Sequence, residues 1–143
     1  MAHVATSRDA PVVLRPATRD DIETVAVLWH DGWRDGHLGL VPDAVLPHRS
    51  FDDFRKRVPA LLRATTVAER DGLVVGFVTV HGAEVEQVYV AAEARGGPTA
   101  TALLDHGEAV VAEQHEVAWL AVVEGNARAR AFYTRRGWSD AGA

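Results

Sequence analysis

The chain has 143 residues, 48% of them apolar, enough for one compact core and too few for two comfortable domains. A formal charge of -5 with a pI near 5.8 opposes a nucleic-acid groove, which needs a basic face; Arg128, Arg130, Arg135 and Arg136 form the only dense basic run, read as a local anion contact or a solvated helix face. With no cysteine, disulfides, thiolate metal sites and a Cys nucleophile are excluded, and with no long apolar span or signal-peptide pattern a cytoplasmic protein without membrane contact is expected.

Residues 1–10 read as a flexible tail and 11–143 as one domain. "VVLRPA" (Val12 to Ala17) is a short strand, and Thr18 with Asp21 three residues later predicts a capped helix start. Ile22, Val25, Ala26, Trp29 and Trp33 then recur at helical spacing. "GHLGLVPDAVLP" breaks the pattern as a loop, after which Ser50 caps a second helix carrying Phe51, Phe54, Val58, Leu61 and Leu62. Thr65 to Glu69 and Leu73 to Val80 are strands joined by the hairpin signal Arg-Asp-Gly, and "EVEQVYV" (Glu84 to Val90) is a third. A helix is predicted from residue 98 to about 113, a buried strand over "VAWLAVV" (Val117 to Val123), and a helix from Asn126 to Arg136 ended by Gly137. The order is β-α-α-β-β-β-α-β-α-β, the last strand partial.

Between the third of these strands and the helix after it lies "EARGGPTAT" (Glu93 to Thr101). A strand, a glycine turn and a helix start form an anion site, because the first helical turn leaves N–H groups unused and carries the positive end of the dipole. A plain structural turn has the same pattern. There is neither the Lys-Ser/Thr of a nucleotide P-loop nor a GxGxxG, and Pro98 is tolerated at the first helical position, where a missing N–H costs no helical bond.

"WLAVVEGNARARAFYTRRGW" places Asn126, Ala129, Phe132, Tyr133, Gly137 and Trp138 in a frame that resembles the second cofactor motif of the GNAT superfamily of acyl-CoA-dependent N-acyltransferases, N-x-x-A-x-x-F-Y-x-x-x-G-F/W. "RGGPTA" resembles that superfamily's pyrophosphate loop, R/Q-x-x-G-x-G/A. The resemblance covers roughly Val12 to Gly142 and implies an α/β (α+β) fold with a mixed central sheet flanked by helices. It implies acetyl-CoA as co-substrate, with Arg95, Gly96, Gly97, Thr99 and Ala100 around the pyrophosphate. Val88, Tyr89 and Val90 would meet the pantetheine through their main chain, and Asn126, Ala129 and Phe132 would complete the cofactor site. Pro98 replaces the family's usual central glycine and removes one donor.

For the chemistry, the resemblance makes Tyr133 the acid. An amine attacking a thioester expels a thiolate, and a positioned phenol can protonate it; an ordinary amphipathic core residue is the other reading of Tyr133. A backbone N–H of Val90 is the implied oxyanion donor. Glu84 and Glu86, two apart and hence on one strand face, are candidate bases, with solvent-facing carboxylates as the alternative and His37 and His81 as weaker candidates. No HxxxH or HExxH spacing suggests a metal.

"WHDGWRDGHLGLVPDAVL" resembles the acceptor side of small bacterial members, which makes Trp29, Trp33 and His37 candidate walls of an amine pocket; core packing explains the tryptophans equally well. Asp31, Asp35, Asp43, Glu84 and Glu86 favour a cationic acceptor, a small-molecule or peptide amine. Tyr133 and the lack of any Cys for a ping-pong step support direct transfer in a ternary complex, and the alternative is a weak or silent GNAT-like acyl-CoA-binding or interaction module. In the family two strands follow the final helix, whereas this chain stops at "GWSDAGA"; an uncovered apolar strand predicts a homodimer through the exposed sheet edge, the alternatives being further residues after Ala143 or a monomer.

Overall fold

The computed structural model describes residues 11–37, 39, 44, 49–122 and 125–142, so the tail and much of the loop after residue 37, with Asp43, lie outside the described residues. Eight main elements follow in chain order: β1 (Val13–Pro16), α1 (Ile22–His37), α2 (Phe51–Arg57), β2 (Thr65–Arg70), β3 (Leu73–His81), β4 (Glu84–Val90), α3 (Thr99–Ala112) and α4 (Ala127–Arg135). The sheet is an antiparallel meander, β1-β2-β3-β4. One apolar cluster joins α1 and α2 to the sheet through Trp29, Trp33, Phe54, Val67 and Phe77; a second joins α3 and α4 to it through Val78, Val85, Leu103, Leu104 and Phe132.

Local sequence accounts for several junctions. The Asp21 carboxylate accepts the Thr18 N–H at 2.7 Å and a two-pronged pair from Arg15 at 2.8 Å, fixing the start of α1 to the end of β1. The first turn is a 3₁₀ turn, Arg19–Asp21, and the α-helix proper starts at Ile22. Ser50 and Asp53 form a reciprocal capping box on α2, which tightens into a 3₁₀ segment, Val58–Ala64, before β2. The expected Arg-Asp-Gly hairpin is present: Asp71 (φ 54°) and Gly72 (φ 78°) both take the left-handed conformation that matches strand twist in a two-residue turn.

Long-range pairing departs from expectation at two places. Thr79 pairs with Gln87 but Val80 pairs with Val85, so β4 carries Glu86 as an extra residue in a β-bulge. Two-residue alternation fails across it: Val85 and Val88, three apart, pack into the same α3-side cluster. Glu84 and Glu86 therefore do not share a face by strand parity.

The second departure is Val117–Val123, expected as a buried strand. Its described residues make a single parallel bridge, Trp119 to Glu84, in which Val85 N–H donates to Trp119 O at 2.9 Å and Trp119 N–H to Ala83 O at 3.0 Å. Ala118 and Leu120 reach the core, while Val117 is 74% and Trp119 53% exposed. The sheet's mixed character rests on that bridge among the described residues. Those after Trp138 form no strand.

Candidate active site

Beyond the bridge at Trp119, the segment 120–122 parts from β4 and opens a cleft of about 640 Å³, closed by α1, the start of α3 and α4. Its first resource is backbone. Ala91 donates to Val75 O at 2.8 Å, so in the antiparallel alternation Tyr89 bonds toward β3 while Val88 and Val90 turn their N–H and C=O groups to the open edge. Both residues line the cleft.

Its second resource is a helix end with unused N–H groups. Ala102 N–H donates to Pro98 O at 2.9 Å, so α3 itself uses none of the N–H groups of Thr99, Ala100 and Thr101. Pro98 is thus the N-cap, one position earlier than expected. Gly96 has φ +83°, a conformation that suits glycine and lets the loop approach a ligand closely. Arg128 and Arg135 on α4 and its C-cap residue Arg136 line the same cleft, joined by Arg95. Arg95 is held by Asp35 and Arg136 by Asp105, both at 2.8 Å; Arg128 and Arg135 have no ion-pair partner among the described residues. In a chain of net charge -5, this rim is a local positive field. Free helix amides, a left-handed glycine and unpaired arginines fit a phosphate-bearing group such as the CoA moiety.

The third resource is Tyr133, and α4's C-terminus explains its placement. Trp138 N–H donates to Tyr133 O and Gly137 N–H to Thr134 O, at 3.0 and 3.1 Å, the paired bonds of a Schellman motif with Gly137 at φ +91°. The accompanying apolar contact is Trp138 against the Tyr133 ring, 6.0 Å between centroids, with Phe132 on another side at 5.3 Å. Burial pushes the Tyr133 hydroxyl up to about 12, so it holds its proton at neutral pH. At the other end of α4, Asn126 Oδ1 accepts from Ala129 N–H at 3.2 Å.

Of the residues singled out from sequence, Val88, Tyr89, Val90, Arg95, Gly96, Gly97, Ala100, Asn126, Ala129, Phe132, Tyr133, Glu86 and His37 line this one cleft. Four do not. Trp29 and Trp33 are 4% and 9% exposed and pack on Phe54, so they are core residues and not pocket walls. Thr99 is fully buried beneath the loop, where its methyl would meet any Cβ at Gly76, and its hydroxyl lacks a partner; only its N–H remains for a ligand. Glu84 starts β4 beside the Trp119 bridge, outside the lining, and its carboxyl is raised by burial and then by Glu86, with His81 opposing.

Sequence reading missed Gly32, Gly36 and Gln87, which also line the cleft. A Cβ on Gly32 would stand 2.2 Å from the Tyr89 ring, and one on Gly36 2.9 Å from Asn126 Nδ2. These glycines let α1 close on β4 and on the cap of α4. Their i, i+4 spacing was the available signal.

The profile of the acetyltransferase (GNAT) family matches residues 24–138, which span the α1 face, the bulged strand, the glycine turn before α3, and α4. The chain belongs to that family. This makes it an acetyl-CoA-dependent N-acetyltransferase with acetyl-CoA as co-substrate. Among solved structures it is similar to the PaiA N-acetyltransferase from Thermoplasma acidophilum in complex with coenzyme A (17% identity, TM-score 0.69, 90% of each chain covered). It is also similar to a ribosomal-protein-alanine N-acetyltransferase from Brucella melitensis (24% identity, TM-score 0.70, 91% of this chain and 86% of that one). A GCN5-related N-acetyltransferase from Ralstonia eutropha shares the same fold at 23% identity and TM-score 0.69, over 93% of this chain and 95% of the other. No curated protein sequence matches. The expected α+β architecture is therefore present, with four antiparallel strands as its backbone. Among the described residues no helix is long and apolar enough to cross a membrane.

Proposed function

We propose that this GNAT member transfers acetyl directly to a primary amine of a small molecule or peptide, in a ternary complex in the cytoplasm. The observation that carries the reading is a proton-holding phenol, Tyr133, in the same cleft as the outward-turned amides of β4. Bound acetyl-CoA supplies an activated acetyl thioester. The amides of Thr99, Ala100 and Thr101, with Arg128 and Arg135, hold its phosphates, and the open edge at Val88 and Val90 aligns its arm. Val90 N–H donates to the carbonyl oxygen as that oxygen gains charge. Tyr133 gives its proton to the departing sulfur. Glu86, the one of the two carboxylates in the cleft lining, contributes the negative potential that draws a cationic amine. With no cysteine in the chain, an acyl-cysteine route is closed.

Thermal unfolding with and without millimolar acetyl-CoA tests the reading, because a ligand bound only by the folded state raises Tm by mass action. A rise with thiol release over an amine panel is expected. An unchanged Tm would sink it, and a rise without thiol release from any amine would favour a silent acyl-CoA-binding module.

A further inference from the structure

The cleft contains two hydrogen-bond acceptors that the acetyl-transfer chemistry above leaves unused. The first is Gln87. The residue is 8% exposed, its Nε2 lies 3.4 Å from Glu86 Oε1, and its Oε1 is buried without a partner. The orientation is fixed by chemistry, since a carboxylate only accepts and so faces the amide's NH₂. An orphaned buried carbonyl is costly, and a donor arriving with a ligand removes that cost.

The second is His37, the last residue of α1. Its Nδ1 lies 2.8 Å from Trp33 O, and its ring stacks on the Trp33 indole, 4.6 Å between centroids and 8° from parallel. A carbonyl oxygen cannot donate, so Nδ1 carries the hydrogen and the neutral ring's lone pair sits on Nε2. Among the described residues Nε2 has no hydrogen-bond partner.

Both line the cleft where α1 crosses β4. Gly32 of α1 rests on Tyr89 of β4. One long edge of α1, with Leu28, Asp31 and Asp35, borders a separate hollow with Ala91 and Glu93 past the C-terminal end of β4. The opposite edge carries Trp29, Trp33 and His37 at four-residue spacing; the two tryptophans pack on Phe54, and His37 beyond them reaches the cleft. Gln87, two residues before Tyr89 with no bulge between them, lies on the Tyr89 face of β4 and lines the same cleft beside Glu86.

We propose that Gln87 Oε1 and His37 Nε2 form the seat of the acceptor amine, with His37 as the base. This rests on the direct-transfer reading above and gives its acceptor, arriving as an alkylammonium, a place in the cleft. Glu86 supplies charge, Gln87 takes one N–H as a hydrogen bond, and a second proton moves from the ammonium nitrogen to Nε2. The N–H electron pair stays on the amine nitrogen as its nucleophilic lone pair. The imidazolium so formed keeps its Nδ1–H bond to Trp33 O. A neutral alcohol offers one donor and no charge, and is a poor fit for a seat made only of acceptors.

The test uses full-length protein with ¹⁵N-labelled histidine, saturated with CoA and titrated with n-butylamine or n-butanol. Long-range ¹H–¹⁵N spectra should show His37 as the Nδ1–H tautomer, with its Nε2 resonance moved by n-butylamine and not by n-butanol. Gln87→Leu should raise the half-saturating amine concentration about tenfold, the effect of one lost buried hydrogen bond, with CoA affinity unchanged. His37→Gln, whose amide can still donate to Trp33 O, should lower kcat on the best amine roughly 10²-fold or more without changing KM for acetyl-CoA. If Gln87→Leu unfolds, Gln87→Met replaces it. An Nε2–H tautomer, an Nε2 resonance indifferent to n-butylamine, or variants that bind and turn over like the parent would each overturn the seat. A parent protein that acetylates amines while His37 stays silent overturns the seat alone, whereas a parent whose Tm ignores acetyl-CoA overturns the wider reading.

Discussion

The sheet is sealed under α1 and α2 and open at β4, and the two regions are built on opposite rules. Under the helices Trp29, Phe54 and Phe77 are at most 4% exposed, with Trp29 and Phe54 rings 4.8 Å apart. Two buried hydroxyls there are matched: those of Thr65 and Thr79 pair at 2.8 Å, and Thr65 also reaches Leu61 O. At the β4 edge the strand alternation is broken by Glu86, backbone amides face outward and Gln87 Oε1 lacks a partner. Complete satisfaction makes a core rigid and chemically silent, while unmatched donors and acceptors leave binding capacity for a ligand.

Four perturbations separate the regions, in falling order of effect. Tyr133→Phe should lower turnover by roughly 10²- to 10⁴-fold, the range for a lost general acid. Acetyl-CoA affinity and Tm should hardly change, and steady-state kinetics beside calorimetry reads both; parent-like turnover would assign the acid elsewhere. In the sealed region Phe54→Ala should cost about 3–5 kcal/mol in denaturant unfolding, through lost burial and the cavity left behind.

Gly32→Ala lies where the two regions meet. Its Cβ would press on Tyr89, a clash expected to cost about 1–3 kcal/mol by overpacking. Because Tyr89 belongs to the cleft, acetyl-CoA affinity should fall with stability, and a loss of stability alone would show that the helix can shift without disturbing β4. The smallest effect is on the acid side. The Arg15 hydrogen bonds hold the Asp21 carboxyl below its ordinary 3.8, against the opposing effect of burial. A depressed folded-state value means that this contribution is complete above that pH and is lost as pH falls through the lower folded value. Tm of the parent should therefore drop more steeply below pH 4 than that of Asp21→Asn.

Much of the site was legible because its signals are local. The Asn126 to Trp138 frame encodes an N-cap, a helical face and a Schellman end within one short stretch, so residues near in sequence set both the helix and the Tyr133 contact with Trp138. The capping pairs Thr18–Asp21 and Ser50–Asp53 and the Asp71–Gly72 turn are local in the same way. The basic run on α4 was ambiguous only in direction, and packing turned Arg128, Arg135 and Arg136 to the cleft while Arg130 pairs with Asp140.

By itself, then, the sequence determined the family, most helices with their caps, and the glycine turn before α3, each specified by hydrogen bonds or side-chain spacing over a few residues. Tertiary structure alone decided that Glu86 bulges out of register, that residues 117–122 touch β4 at one bridge and then diverge, and that Trp29 and Trp33 belong to the core. It also brought Gly32 against Tyr89, and Gln87 into the same cleft as His37. These outcomes depend on which strand edge meets which partner and which helix face meets which surface. Apolar spacing shows that a face will be buried; the surface it meets is set by contacts between residues distant along the chain.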